Sequence, residues 1–383
     1  MSIIIVDDNA TNQLIIKTIL NKAGYSQLKT ASSAHELYEM LGIHSAVMRE
    51  PDVELILMDM MMPDIDGLEA CRVIQKDARY KDVPIIFVTA VGDSNKMAEA
   101  LDAGASDYVM KPINRMELLA RIRSALRLKK EIDWHKERDK RMKYKLELAK
   151  QVQLSVLSKP IDDENVSIYA AYQPSSELAG DFYAWYRIDK HRYGVILLDM
   201  MGHGISSSLV CMYISSVLRD TITRISDMEQ VMLELNRYMN QLHMKDELIN
   251  YYFTAIYLVL DTERKTMEYV NAGHPTGVAF VDGETVLLEQ SCGAIGLFDS
   301  LNVEKKELHY DQEVAITLYT DGLTDAIDNG KEIPIGRLVK QFADGRQTEP
   351  NELVRTIVPE PCNGIQKDDI CLVRLQTKAM IPE

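Results

Sequence analysis

Two sets of acidic residues stand where a carboxylate can do chemistry. In the first third of the chain, Asp7 and Asp8 close the apolar run Ile3-Ile4-Ile5-Val6, and Asp59 closes the run from Val53 to Met58. Thr89 lies in P-I-I-F-V-T-A and Lys111 in D-Y-V-M-K-P. Three carboxylates can hold Mg²⁺, which prefers oxygen ligands and keeps waters for an incoming phosphoryl group. One of them can act as a nucleophile and form an acyl phosphate, whose oxygens a hydroxyl and an ammonium then receive. In the second half, Asp181, Asp199, Asp321 and the pair Asp368-Asp369 sit beside small or turn-forming residues at the edges of apolar runs. Their settings are A-G-D-F-Y, L-L-D-M-M-G-H-G, L-Y-T-D-G-L-T-D-A and Q-K-D-D-I-C-L-V. No His-x-x-x-His or cysteine cluster offers zinc ligands, so an all-carboxylate set points to Mg²⁺ or Mn²⁺. Two such ions bridged by one carboxylate sit about 3.5–4 Å apart and can activate a water for in-line attack on a phosphoryl group.

To act together, such residues need rigid strand ends. Residues 1–125 alternate short apolar runs with amphipathic helical stretches, which predicts a parallel, doubly wound α/β sheet with crossover helices. Ligands in such sheets lie beyond the carboxyl ends of the strands, where Asp7, Asp8, Asp59, Thr89 and Lys111 are all expected. Residues 126–158 form a mixed charge run without glycine that leads into Leu146, Leu148, Val152, Leu154 and Val156. That pattern predicts one long helix, polar first and more apolar later. Ile132, Met142, Leu146, Ala149 and Val156 fit a heptad seam for a homodimer, while Asp139 and Gln153 interrupt it.

Residues 159–378 read differently. Strands are expected at 166–174, 182–188, 193–200, 251–261, 266–272, 276–281, 285–288, 314–320 and 370–375, with helices at 205–222 and 228–244. Asp282-Gly283 suits a hairpin turn. Meander strands around a helix pair predict an α+β unit built on antiparallel sheets. Val195 to Leu198 deliver Asp199 from a buried strand, and Gly202-His203-Gly204 breaks the chain into a serine-rich helix start.

The net charge of −15 over 383 residues argues against a nucleic-acid or anionic-membrane partner, both of which reward clustered Lys and Arg. Five scattered cysteines, Cys71, Cys211, Cys292, Cys362 and Cys371, fit reduced thiols rather than disulfides. No run approaches membrane-spanning length and the start lacks a basic, apolar leader, so a cytoplasmic protein is expected.

The motifs V-D-D, L-M-D-M-M-M-P-D-I-D-G, V-T-A and Y-V-M-K-P-I make residues 1–125 resemble the receiver domain of two-component response regulators. The resemblance implies phosphorylation of Asp59 by an upstream sensor histidine kinase. It implies Mg²⁺ held by Asp7, Asp8, Asp59 and the Met61 carbonyl, with Thr89, Lys111 and the aromatic Tyr108 as switch residues. It also implies a cis Lys111–Pro112 bond.

The motifs G-D-F-Y, D-x-x-G-H-G, N-A-G-H-P, Y-T-D-G-L-T-D-A and D-D-I-x-L-V make residues 146–376 resemble the 2C-type metal-dependent Ser/Thr phosphatases. The match is to the bacterial branch acting on anti-sigma-factor antagonists. This implies a sandwich of two antiparallel sheets flanked by helices, with two Mn²⁺ or Mg²⁺ ions. Asp199 would bridge them, Asp181 and the Met200 carbonyl would complete one site, and Asp321 and Asp368, beside Asp369, the other. The implied substrate is a phosphorylated anti-anti-sigma factor. Met200 and Cys371 depart from the usual residues at their positions. His203 and His274 lie in glycine-rich turns, where imidazoles are commonly structural, and are weaker candidates for general acids. A phosphorylation-controlled adaptor that binds a partner without catalysis would need none of these carboxylates.

Overall fold

The computed structural model describes residues 2–43, 53–90, 94–225, 227–242, 251–328, 333–346, 348–358 and 366–378. Cys362 lies outside them. The chain divides into two compact units, Met1–Lys143 and Tyr144–Glu383, and each is described by itself. Among the described residues no helix is long and apolar enough to cross a membrane.

In the first unit, β1 (Ser2–Val6), α1 (Ala10–Lys22), β2 (Gln27–Ala31), α2 (Ala34–Leu41), β3 (Leu55–Met58), α3 (Gly67–Lys76), β4 (Ile85–Thr89), α4 (Ser94–Asp102) and β5 (Asp107–Met110) follow in strict alternation, and α5 (Arg115–Val156) begins after them. The strands pair in parallel in the order β2-β1-β3-β4-β5. Both faces are covered, and side chains alternate across a strand. Ile3, Ile5, Leu55 and Leu57 pack on one face with Ile16, Leu20, Leu118 and Ile122. Ile4, Val6, Ile56 and Met58 pack on the other with Leu37, Cys71 and Ile74. This double burial is why the strands read as unbroken apolar runs. β2, Q-L-K-T-A, is an edge strand with two exposed positions, and so left no apolar run to find. Helix α5 runs unbroken from Arg115 to Val156, so the junction expected at residue 126 falls inside it.

The second unit is a sandwich. Its strands are β6 (Ile161–Asp162), β7 (Val166–Gln173), β8 (Phe182–Arg187), β9 (Arg192–Met200), β10 (Phe253–Asp261), β11 (Thr266–Ala272), β12 (Gly277–Val281), β13 (Glu284–Leu288), β14 (Lys306–His309), β15 (Val314–Tyr319) and β16 (Ile370–Thr377). Helices α6 (Ile205–Arg224) and α7 (Met228–Asn240) follow β9, while α8 (Asp321–Asp328), α9 (Ile335–Asp344) and α10 (Pro350–Ile357) precede β16. One sheet has the order β14-β11-β10-β9-β8 and the other β13-β12-β15-β16-β7-β6.

Alternation again decides which residues meet. Val195, Leu197, Ile256 and Leu258 of the first sheet face Ile316, Leu318, Val373 and Leu375 of the second. Ile196 and Leu198 face α6 and α7 through Ile214, Leu218 and Leu235. Ile370 and Leu372 face Leu338, Phe342 and Leu353 of α9 and α10. The same parity places Asp199, two residues beyond Leu197, on the inner face at the end of β9.

Candidate active site and phosphoacceptor pocket

In the first unit the topological reversal lies between β1 and β3, and both strands end in acids there. Ligand oxygens of Asp7, Asp8 and Asp59 lie within 4.8 Å of one another. Asp7 and Asp59 are buried and Asp8 is exposed. Lys111 follows β5, and its Nζ donates to Asp59 Oδ2 at 2.7 Å and to Asp7 Oδ2 at 2.9 Å. Burial alone would depress the Lys111 pKa, but hydrogen bonds to Asp59 and Asp7 outweigh it and the net shift is upward. The Met61 amide donates to Asp59 Oδ1 at 3.3 Å, while the Met61 side chain is exposed. Thr89 is buried at the end of β4, its carbonyl accepting from the Lys111 amide at 2.8 Å. The Lys111–Pro112 bond is cis. Tyr108 is half-buried, with the Arg121 guanidinium 5.5 Å from its ring centroid.

In the second unit, the acids come from strand ends of both sheets. Asp199 is the last residue but one of β9, directly opposite Thr254 of β10. Asp181, just before β8, is buried and accepts from Thr320 Oγ1 at 2.8 Å. Asp321 starts α8 one residue beyond Thr320 and is exposed, and half-buried Asp368 precedes β16. Three of the four are raised by burial and by neighbouring charge. Burial, then the charges of Asp321 and Asp368, push Asp199 up to about 8. Burial, then Asp199, drives Asp181 well above the usual carboxylate range. Asp368 is raised first by burial, with Asp321 and Asp369 adding to it. Yet among the described residues no three of these acids gather as tightly as the Asp7–Asp8–Asp59 trio. They are spread more widely than a nest for one ion.

Asp369, expected beside Asp368 among the ligands, has a different task. Its Oδ1 accepts from the amide and hydroxyl of Ser175 at 2.7 and 2.9 Å, and its Oδ2 accepts from the Gly180 amide at 2.7 Å. Both oxygens are engaged in holding the 175–180 loop. The fit around that loop is close: a Cβ at Gly180 would stand 2.9 Å from the Gly202 carbonyl oxygen and 3.2 Å from that of Met200. At Gly322 it would stand 2.0 Å from the Asp369 carbonyl oxygen. The Met200 side chain is fully buried among the α6 and α7 residues.

Three contributors were not legible as functional. Thr320 hid behind Asp321, and Ser175 lies in an irregular loop. Gln153 looked like a flaw in the heptad. It is buried, its Nε2 donating to the Ala179 carbonyl at 2.7 Å and its Oε1 accepting from the Ala179 amide at 3.1 Å. Of the two histidines, His203 is exposed. Burial pushes the His274 imidazole down to about 3, so His274 stays neutral at physiological pH, which suits a structural part and not a general acid.

Residues 3–123 match the model of the response regulator receiver domain, and residues 189–378 match that of stage II sporulation protein E. The chain therefore carries a receiver domain followed by a 2C-type phosphatase domain of the sporulation-protein-E family. Among curated relatives, phosphoserine phosphatase RsbP of Bacillus subtilis is 37% identical over 238 residues, 62% of this chain and 58% of that protein. The probable transcriptional regulator ycf27 of Guillardia theta is 42% identical over 125 residues, 33% of this chain and 45% of that one. The chain thus spans about half the length of the curated relatives it matches. The SiaA-PP2C domain of Pseudomonas aeruginosa, at 20% identity, superposes with a TM-score of 0.53 over 62% of this chain and 97% of its own, so the fold is shared.

A 2C-type domain implies Mg²⁺ or Mn²⁺, and the donors fit: hard oxygens only, crowded enough to repel one another when charged. The crowding gives a signed prediction. Asp199 has a pKa of about 8 when folded, against roughly 3.9 in an unfolded chain, so the native state holds more protons between those values. Stability is then fully present at the low end of the window and is lost as pH rises through it. In calorimetry of the chelator-treated chain, the phosphatase unit should melt at lower temperature as pH is raised across that window. Added Mn²⁺ should largely restore it. A metal-free melting temperature that is flat or rising with pH, and insensitive to Mn²⁺, would show that the acids do not crowd.

Proposed function

We propose that this chain is a two-component response regulator whose output is a Mg²⁺- or Mn²⁺-dependent phosphoserine/phosphothreonine protein phosphatase, controlled by phosphorylation of Asp59. The observation that carries the reading is the placement of acids at strand ends of both sheets, with Asp181 bonded to Thr320, the neighbour of Asp321, and Asp199 electrostatically affected by Asp321 and Asp368. Asp199 is the shared ligand, Asp181 and the Met200 carbonyl serve one ion, and Asp321 and Asp368 the other. Asp369 holds the loop that delivers Asp181. Bound ions supply charge neutralisation and an activated water, both needed because phosphate monoesters are among the slowest uncatalysed hydrolyses.

In the receiver, Asp7, Asp8, Asp59 and the Met61 carbonyl hold Mg²⁺, and Lys111, Thr89 and Tyr108 respond to the phosphoryl group. A sensor histidine kinase is the upstream partner. The substrate is a phosphorylated anti-anti-sigma factor of a stress or developmental pathway, a reading supported by the likeness to a phosphoserine phosphatase. Residues 126–158 relay the signal and pair two copies, a reading supported by the exposure of Met142 and Val156 of the expected seam on α5.

Hydrolysis of a phosphoserine protein or an aryl phosphate with Mn²⁺ should fall at least ~100-fold in Asp199→Asn and Asp321→Asn, the loss of a few kcal/mol of transition-state stabilisation. Wild-type activity no higher than theirs sinks the enzyme. Asp59→Ala should remove any effect of a small phosphodonor on the rate; a donor effect that persists places the control elsewhere. Met142→Glu should halve the mass seen by light scattering if α5 forms the dimer, and a wild-type chain that is already monomeric rules the seam out.

A further inference from the structure

The segment N-A-G-H-P-T, 271–276, is where the chain passes from one sheet of the sandwich to the other. Asn271 belongs to β11, opposite Ile256 of β10, and β12, which follows, lies against β15 with Val278 opposite Thr317. The crossing happens at the acid end. There β10 starts with Phe253 and Thr254, opposite Met200 and Asp199, and β15 runs out through Tyr319 to Thr320 and Asp321.

Polar contacts fix this passage. Asn271 is fully buried; its Oδ1 accepts from the His274 amide at 2.8 Å and its Nδ2 donates to the Leu288 carbonyl of β13, in the opposite sheet, at 3.0 Å. The turn delivers the His274 imidazole between the sheets, where it is 4% exposed. His274 Nδ1 is 2.8 Å from Thr254 Oγ1, the hydroxyl whose residue is the register partner of Asp199. Its Nε2 is buried with no partner at hydrogen-bond geometry. The imidazole thus ties the crossover, pinned through Asn271 to β13 of one sheet, to Thr254 of β10 in the other.

We infer that His274, through Thr254, is a positioning residue that sets the separation of Asp199 on one sheet from Asp321 on the other. The apolar contacts between the sheets resist separation without direction, whereas a metal centre needs its ligands held to a fraction of an ångström. A buried ring bonded to a fixed hydroxyl supplies that direction. His274 touches no reacting atom here and is not a catalytic residue.

This inference rests on the reading of the four acids as one metal site, so the test reads metal binding as well as rate. Full-length His274→Leu and Thr254→Val are titrated with Mn²⁺ by calorimetry, beside Thr254→Ser and wild type. Supporting groups behind metal ligands typically carry about 10–100-fold in affinity. His274→Leu and Thr254→Val should each weaken Mn²⁺ by about that factor and lower kcat more than they change KM, while Thr254→Ser keeps wild-type affinity. Should His274→Leu not fold, the valine and serine variants of Thr254 decide alone. Wild-type affinity in a folded Thr254→Val overturns the strut. A wild-type chain that binds no Mn²⁺ overturns the metal site itself, and the strut with it.

Discussion

Repulsion between carboxylates is the constraint around which the second unit is organised. Asp181, Asp199 and Asp368 are each made harder to ionise, first by burial and then by the charge of neighbouring carboxylates. No fold gathers such groups without support from covalently or hydrogen-bonded neighbours. The support is visible: Thr320 holds Asp181, Asp369 holds the loop before it, and the sandwich core behind Leu197 and Leu318 fixes the strand ends.

The first unit treats the same difficulty in the opposite way. It brings Asp7 and Asp59 together but supplies its own cation, since Lys111 bonds to both. A pocket that already contains a counter-charge can be poised for a transient phosphoryl group. A pocket of acids alone has its missing charge supplied from solution, as a divalent cation. The two halves therefore differ less in ligand type than in whether the protein provides the positive charge.

Most strands, and the strand ends that carry acids, were legible because burial imposes patterns. Strands covered on both faces read as solid apolar runs, and Asp7, Asp59 and Asp199 follow such runs. What escaped was structure without an apolar signature. Strand β14, K-E-L-H, alternates half-buried and exposed positions at an edge. Helices α9 and α10 are short and cover a sheet face with a few residues each. The receiver's last helix and the linker could not be told from one continuous helix, because nothing in the residues between them stops a helix. Gln153 was legible only as an irregularity, since an amide that bonds to a remote backbone leaves no trace in local spacing.

The adjacent pair Asp368-Asp369 carries a consequence for how the strand after it is built. Two identical side chains in succession give β16 two settings that differ by one residue, and each would offer a carboxylate to Ser175 and Gly180. What separates the settings is the alternation further along: Cys371, Val373 and Leu375 lie between the sheets, and Leu372 lies against the helices. A slip of one residue would turn Arg374, whose guanidinium is bonded to the carbonyls of Gly345 and Thr348, into the apolar interior. The distant charge of Arg374 thus acts as a proofreader, deciding which of two indistinguishable aspartates is bonded to Ser175 and Gly180.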